Sequence, residues 1–111
     1  MKIVRMNRRT GKSTELIKLS NEKWYYIICT TRQRAEYLVN QAEKIGLDIP
    51  FPITVAELPL KSSYIRGVII DDVDDVLQML IGKPPIVQSI TSCEVEIRED
   101  PTDWCLTNML D

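Results

Sequence analysis

The sequence predicts an α/β fold, a three-layer sandwich with a mainly parallel central sheet. Two observations lead to it: short apolar runs alternate with amphipathic segments along the chain, and a glycine–lysine–serine turn follows the first apolar run. Continuous apolar runs are typical of parallel strands, because such strands are buried on both faces. At 111 residues we expect one domain over residues 1–111, near the lower size limit for such a core.

The first strand is predicted at residues 2–6, and a phosphate-binding loop follows it. Residues 6–14 read MNRRTGKST, which matches the second half of the Walker A pattern G-x-x-x-x-G-K-[ST], with Met6 where the first glycine belongs. A helix is predicted from Ser13 onward, so that backbone N–H groups and the helix dipole face an anion. The alternative is an ordinary turn with a capping serine.

The residues of this loop have distinct predicted roles. Gly11 lets the backbone approach a phosphate, Lys12 offers its ammonium group to the β- and γ-phosphate oxygens, and Ser13 can ligate Mg²⁺. Lys12 is also predicted to be catalytic, because it would stabilise charge on the γ-phosphoryl group as it separates. The predicted nucleotide-binding residues are Asn7, Arg8, Arg9, Thr10, Gly11, Lys12, Ser13 and Thr14.

Three elements are predicted in the next part of the chain. Residues 24–30 form an apolar and aromatic run that is typical of a buried parallel strand. Residues 32–45 place apolar side chains on one helical face, with Thr31 as the N-cap and Gly46 as the stop. After a Pro-Phe-Pro break, residues 53–56 are predicted to form a short strand.

A second motif lies at residues 67–72, which read GVIIDD, an apolar strand that ends in two carboxylates in the manner of a Walker B element. Its apolar character predicts a central parallel strand on which Ile69 and Ile70 are buried. Asp71 is predicted to hold Mg²⁺, directly or through water. Asp72 is predicted to be catalytic, since many such ATPases carry there a glutamate that polarises the attacking water. Alternatively, these aspartates, with Asp74 and Asp75, only cap a helix start. That alternative leaves the matching upstream loop unexplained.

The remaining elements follow the Walker B strand. A short amphipathic helix is predicted at residues 73–80, and residues 86–92 are predicted to form the next strand. Residues 92–111 are predicted to form a C-terminal edge strand, at 94–98, and a tail.

Composition narrows the function classes. Fourteen basic and sixteen acidic residues give a net charge of −2, so there is no general electrostatic attraction to DNA or acidic membranes. Histidine is absent, which removes the commonest metal ligand. Three cysteines without a C-x-x-C pair predict reduced thiols and a cytoplasmic protein. No apolar run reaches transmembrane length, and no membrane partner is predicted.

The order of these motifs resembles the ATPase core of RecA-like P-loop proteins, in their additional-strand branch. The nearest likenesses are the first domain of helicases and the motor domain of phage large terminases. MNRRTGKST is similar to the terminase loop x-x-R-x-x-G-K-[ST], and CTTRQRAEYL to the segment after their second strand. The resemblance covers residues 1–92. It implies that the strand at residues 86–91 lies between the P-loop strand and the Walker B strand. Since those families carry a polar coupling or sensor motif on that strand, it also implies that Gln88 and Thr91 are candidate sensor residues. It also implies ATP or GTP with Mg²⁺, and DNA or RNA as candidate partners, in a host cytoplasm if the chain is viral.

The length of the chain leaves no room for a second RecA-like domain or a nuclease. Because such motors receive an arginine from a neighbour, the resemblance implies a homo-oligomer, a partner protein that supplies the arginine, or slow hydrolysis. Four arginines are candidates for that role, although each is first interpreted as a solvated surface charge: Arg32, Arg34, Arg66 and Arg98.

Three functions therefore compete. They are a Mg²⁺-dependent ATPase or motor fragment in nucleic-acid metabolism, a nucleotide-binding interaction module with little turnover, and a P-loop fold that has lost its nucleotide. Intact Lys12, Ser13 and Asp71 argue against the third. A nucleoside or nucleotide kinase is a further alternative, but the chain has little room for the lid and acceptor pocket that it needs.

Overall fold

The structure is a computed structural model that describes residues 1–7 and 11–98. Its elements in chain order are β1 (Lys2–Met6), α1 (Lys12–Lys23), β2 (Tyr26–Cys29), α2 (Arg32–Lys44), β3 (Ile53–Thr54), a 3₁₀ helix (Val55–Glu57), β4 (Val68–Ile70), α3 (Val73–Ile81) and β5 (Glu94–Arg98). The parallel strands and intervening helices confirm the predicted α/β class. The chain divides into two compact units, one containing β1 and β5 and the other spanning Ser13–Val87.

In the Ser13–Val87 unit, β2 is the central strand of a parallel three-stranded sheet with the order β3-β2-β4. Ile28 is in register with Ile53 on one side and with Ile70 on the other. The predicted run of residues 24–30 is shortened at its start, because Trp24 has a left-handed φ of 57° and turns the chain between α1 and β2. Such a conformation interrupts an extended strand.

Two hydrophobic clusters form the core of this unit. The first contains Ile17 of α1, Ile27 of β2, and Leu38 and Ala42 of α2. The second contains Ile28, Ile53 and Val76 of α3. Since successive side chains of a strand point to opposite faces, Ile27 and Ile28 place these clusters on the two faces of β2. Both isoleucines are buried, as predicted.

The ends of α2 follow the sequence signals. The Thr31 side chain accepts a hydrogen bond of 3.2 Å from the backbone N–H of Arg34, which confirms the predicted N-cap. Gly46 has a φ of +76°, a left-handed conformation that favours glycine and ends the helix. The preceding connection is fixed by Ser20 of α1, whose buried hydroxyl donates to the carbonyl of Tyr25 at 2.7 Å.

The prediction that the Walker B strand is central and buried is wrong. β4 forms one side of the three-stranded sheet, with Ile69 half-buried and Ile70 39% exposed. Each residue of a side strand has one neighbouring strand instead of two, which leaves more of its side chain uncovered. The central position belongs instead to β2, whose last three residues are all buried.

The strand predicted at residues 86–92 is also wrong, because these residues, all of them described, form no strand. Val87 and Ile90 are each 90% exposed. Their side chains therefore gain little from burial, and that gain would have to offset the conformational entropy lost when a strand is ordered. The segment before them is held by Gln78, whose amide donates to the carbonyls of Gly82 and Pro84 and accepts from the N–H of Ile86. Residues 86–91 therefore do not form the strand that the resemblance implies.

The other unit is built on β1 and β5, both of which lie where the sequence predicts them. They pair in parallel, from Lys2 opposite Glu94 to Met6 opposite Arg98. Lys2 forms an ion pair with Glu96 at 2.9 Å, and Arg98 also donates to Glu96. The hydrogen bonds from Arg98 and Lys2 lower the pKa of Glu96 to about 2, so this carboxylate remains charged in moderately acidic solution.

Several predicted residues lie outside the described part of the chain. They are Arg8, Arg9 and Thr10 of the loop and the tail from residue 99 onward. Among the helices of residues 1–7 and 11–98, none has the length and apolar character needed to cross a membrane.

Candidate functional site

Three side chains from different elements of the Ser13–Val87 unit converge at one edge of the sheet. Ser13 lies in the first turn of α1, Arg34 in the first turn of α2, and Asp71 directly after β4. The carboxyl ends of β2 and β4 meet at this edge, because the two strands are parallel. Ligands of open α/β sheets bind at such an edge. The convergence makes it the candidate functional site.

Arg34 links the other two residues. Its Nε donates to Asp71 Oδ2 at 2.8 Å, and its Nη2 donates to Asp71 Oδ1 at 3.4 Å. The same Nη2 lies 3.3 Å from Ser13 Oγ, to which it also donates. Two parallel contacts between a guanidinium and a carboxylate hold both groups in one plane and direction. Ser13 and Asp71, the two predicted Mg²⁺ ligands, thus share one nitrogen of Arg34.

The backbone fixes both ends of this ion pair. Asp71 continues the ladder beyond β4, since its N–H donates to the carbonyl of Ile28 at 2.9 Å. Arg34 is held in the first turn of α2 by the Thr31 cap. The positive end of a helix disfavours a cation, and the first turn of α2 carries no acidic residue. Asp71 supplies the compensating negative charge across the sheet edge.

The ion pair is largely shielded from water. The Asp71 side chain is 4% exposed and that of Arg34 is 29% exposed. Burial lowers the pKa of Arg34, but the hydrogen bond and charge of Asp71, with the charge of Asp72, outweigh it and raise this pKa further above its ordinary value. Arg34 therefore stays protonated and paired.

Two further side chains complete the surroundings of the ion pair. The Arg34 guanidinium lies 5.1 Å from the centroid of the Tyr37 ring, in reach of a cation–π contact. The neighbouring Cys29 is fully buried, and burial together with the charge of Asp71 raises the pKa of its thiol. Cys29 therefore has the character of a packed, protonated thiol and not of a nucleophile.

The oxygen donors at this edge are of the kind that Mg²⁺ prefers, but Arg34 engages both of them. Among the described residues, no group of three His, Cys, Asp or Glu side chains could hold a metal ion by itself. Mg²⁺ commonly takes one or two protein oxygens and completes its octahedron with water and phosphate oxygens. The Asp71 carboxylate and the Ser13 hydroxyl carry oxygen donors of this kind. Both are engaged by Arg34, which acts here as the cation of the site.

The other predicted site residues are placed as follows. Gly11 precedes α1 with a φ of +88°, a conformation that favours glycine, and Lys12 is the first residue of the helix. Thr14 on α1 and Asn7 after β1 are exposed. Asp72 is half-buried and begins α3 with a left-handed φ of 55°.

The candidate sensor residues lie away from regular structure. Gln88 and Thr91 are exposed and belong to the segment that forms no strand. The Thr91 hydroxyl accepts from the backbone N–H of Cys93 at 3.1 Å, which is a local turn contact. They also belong to the unit that contains β1 and β5, and not to the unit of Ser13, Arg34 and Asp71.

The interpretation of Arg34 as a solvated surface charge is wrong. Arg32, on the same helix, does fit that description, since its side chain is 75% exposed and pairs with Glu36 one turn later. A signal for Arg34 was present in the sequence: two arginines open a helix at the end that disfavours cations. That pattern indicates a specific anionic partner.

Comparison with protein-family models, with curated protein sequences and with solved structures finds no match to this chain. The resemblance to RecA-like P-loop proteins therefore rests on the motifs themselves and stays a prediction.

We expect Arg34→Gln to reduce the free energy of unfolding by about 2–3 kcal/mol at pH 7. Removing one partner of a fully buried ion pair costs roughly 3–5 kcal/mol, and partial exposure of Arg34 reduces that value. The measurement is urea unfolding followed by circular dichroism. Arg32→Gln is the matched control and should cost less than about 1 kcal/mol, because exposed ion pairs and cation–π contacts are weak. Equal losses in both variants would contradict a structural role for the Arg34–Asp71 pair.

Proposed function

We propose that this chain binds a nucleoside triphosphate, ATP or GTP, together with Mg²⁺. In this proposal the backbone around Gly11 and the ammonium of Lys12 hold the phosphates. Ser13 and Asp71 hold the cation, which would neutralise phosphate charge when bound. The proposal extends the α/β fold described above to a three-layer P-loop sandwich, which the clusters on both faces of β2 support.

One observation carries the proposal. Ser13 and Asp71 lie 58 positions apart in the sequence, yet both accept a hydrogen bond from the same nitrogen of Arg34. A turn with a capping serine and an unrelated acidic helix start would not require these oxygens to meet. Ser13 directly follows the Gly11–Lys12 pair, and Asp71 directly follows an apolar strand. That is the arrangement in which a helix N-terminus and a carboxylate face a metal-bound phosphate.

The conformation of Asp72 gives further support. A left-handed backbone at a residue other than glycine is uncommon and clusters at ligand sites. Asp72 directly follows Asp71, so the unusual turn sets the direction of the chain at the proposed site. In the proposal, the Asp72 carboxylate is the group that orients an attacking water.

In the proposal, Asp71 has two alternative cationic partners, the Arg34 guanidinium and a divalent cation. With Arg34 on Asp71, the carboxylate is neutralised by the chain itself. To bind a hydrated divalent cation, Asp71 must exchange the guanidinium for it. The Tyr37 ring already lies 5.1 Å from the guanidinium carbon, and this contact does not depend on the pair with Asp71. Arg34 thus competes with a divalent cation for Asp71 in the absence of nucleotide.

Two versions of the function follow, and they differ in turnover. In the first, the chain is a Mg²⁺-dependent ATPase or motor fragment in nucleic-acid metabolism that needs an arginine from a second copy or a partner protein. In the second, nucleotide only sets the conformation of an interaction surface. Met6 in place of glycine and Asp72 in place of glutamate favour slow chemistry in either version.

We expect Lys12→Ala to weaken binding of ATP with Mg²⁺ by at least about tenfold, measured by calorimetry. A lost hydrogen bond to a charged group costs roughly 1.5–3 kcal/mol. Lys18→Ala is the control, since Lys18 is an exposed lysine of the same helix. Equal affinities in wild type and Lys12→Ala would refute the assignment of the phosphate loop.

Arg34→Gln should bind Mn²⁺ about tenfold more tightly than wild type in the absence of nucleotide. Mn²⁺ prefers the same oxygen ligands as Mg²⁺, and the variant frees Asp71 from a charged competitor whose hydrogen bonds are worth roughly 1.5–3 kcal/mol. Electron paramagnetic resonance measures the concentration of free Mn²⁺ in a titration, from which the affinity of each variant for Mn²⁺ is calculated. Arg32→Gln should behave as wild type, and Asp71→Asn in the Arg34→Gln background should abolish the gain. Unchanged Mn²⁺ affinity in Arg34→Gln would disprove the exchange.

Turnover of ATP by the dilute chain should be slow, of the order of 10⁻³ s⁻¹, as in P-loop enzymes that lack an arginine finger. Specific activity should rise with chain concentration if a second copy supplies the arginine. A steady-state ATPase assay across protein concentration measures both. Fast turnover that is independent of concentration would show that one chain carries a complete catalytic set.

A further inference from the structure

A second cleft lies at the opposite edge of the same sheet. Its volume is about 310 Å³, and the described residues that line it are Lys23, Trp24, Tyr26, Tyr64 and Arg66. Three are aromatic, two are cationic and none is acidic. The proposed nucleotide site does not use this cleft, because Ser13, Arg34 and Asp71 lie at the carboxyl edge of the strands.

The fold brings these five residues together from two segments. Lys23 ends α1, Trp24 turns the chain, and Tyr26 begins β2. Tyr64 and Arg66 precede β4, whose amino end is next to that of β2, since Tyr26 is in register with Val68. A hydrogen bond of 3.3 Å from the N–H of Tyr26 to the carbonyl of Gly67 holds the two segments side by side. The cleft therefore lies between two paired backbone segments at the amino edge.

The aromatic rings are presented to solvent. Trp24 is 51% exposed and Tyr64 is 70% exposed, so neither ring is used mainly for the core. Tyr64 meets Tyr26 edge to face, with centroids 6.4 Å apart and an interplanar angle of 65°. This contact packs the Tyr64 ring against that of Tyr26. An exposed ring held in this manner offers a flat surface on which a planar group can stack.

The charge around the rings is positive. Lys23 and Arg66 are both exposed. The nearest carboxylate contact of Lys23 is with Glu22 at 4.0 Å, and both of these side chains are more than half exposed. Such an ion pair is weak and exchanges readily for another anion. Lys61 extends the positive charge into an adjoining groove that also contains Tyr26 and Tyr64.

The adjoining groove holds one carboxylate, that of Glu57. Its Oε2 accepts hydrogen bonds from the backbone N–H and the hydroxyl of Thr54, at 2.7 and 3.2 Å. These uncharged donors stabilise the carboxylate and hold it at the 3₁₀ helix. Glu57 lines the adjoining groove, whereas the described residues that line the cleft include no carboxylate.

We propose that this cleft binds single-stranded nucleic acid, with unstacked bases on Trp24 and Tyr64 and phosphates against Lys23 and Arg66. Planar bases stack on aromatic side chains in a sequence-tolerant manner, and cations follow the backbone. A duplex keeps its bases stacked on each other, so it cannot use the rings. An acidic peptide would pair with the cations but would leave the rings without a planar partner. The negative net charge of the chain confines the attraction to this local patch.

The experiment measures fluorescence anisotropy of a fluorescein-labelled oligo-dT of about twelve nucleotides at low salt, without added nucleotide. The double variant Lys23→Glu/Arg66→Glu should bind at least about tenfold more weakly than wild type. The matched control is Lys44→Glu/Lys83→Glu, which changes the net charge equally at exposed lysines that line neither groove. The control should retain affinity within about threefold of wild type. The salt dependence of binding should fall by roughly 0.7 in logarithmic slope for each cation removed.

A second variant tests stacking separately. Tyr64→Ala removes a ring that is 70% exposed, and should weaken oligo-dT binding about fivefold or more with the salt slope unchanged. The proposal is overturned if the two charge variants bind alike, or if Tyr64→Ala binds as wild type. Equal affinity for a duplex of the same length, or equal competition by a glutamate-rich peptide, would also overturn it. The measurement contains no nucleoside triphosphate, so a failure of the proposed nucleotide site leaves this test intact.

Discussion

The alternation of side chains along β2 is the constraint on which the Ser13–Val87 unit depends. Ile27 and Ile28 are adjacent in sequence and buried on opposite faces, so one strand of four residues joins both hydrophobic clusters. A shift of register by one residue would exchange the faces and separate the isoleucines from their partners. The positions of α1, α2 and α3, and with them those of Ser13, Arg34 and Asp71, follow from this strand.

Local sequence signals predicted most of the elements, and long-range pairing decided the rest. α2 was predictable from its helical period, its Thr31 cap and Gly46, all of which act within one segment. The strand at residues 86–92 was predicted from apolar character alone, and it failed because a strand also needs a neighbouring strand and a surface to cover. The side position of β4 depends on which strands pair, and its sequence of three apolar residues does not encode that choice.

In the candidate site, too, local signals predicted some residues, and long-range pairing decided the role of another. The roles predicted for Ser13 and Asp71 came from motif spacing, and the structure brings these residues to one nitrogen. The part played by Arg34 was missed, because its partner lies 37 residues away and only the parallel alignment of β2 and β4 brings them together. Burial of the carboxylate explains why a partner is needed at all, since an unpaired buried charge is strongly unfavourable.

The helix α1 runs between the two edges of the sheet. Ser13 lies in its first turn and Lys23 is its last residue, so its 12 residues extend over roughly 18 Å. A hydrogen-bonded helix of this length moves nearly as a rigid rod. If the two proposed ligands bind at its two ends, a displacement of the helix by one ligand also displaces the binding site of the other. Thermodynamic reciprocity then requires that a triphosphate and a nucleic-acid strand change each other's affinity by the same factor, which makes α1 the physical link through which this small chain would couple two ligands.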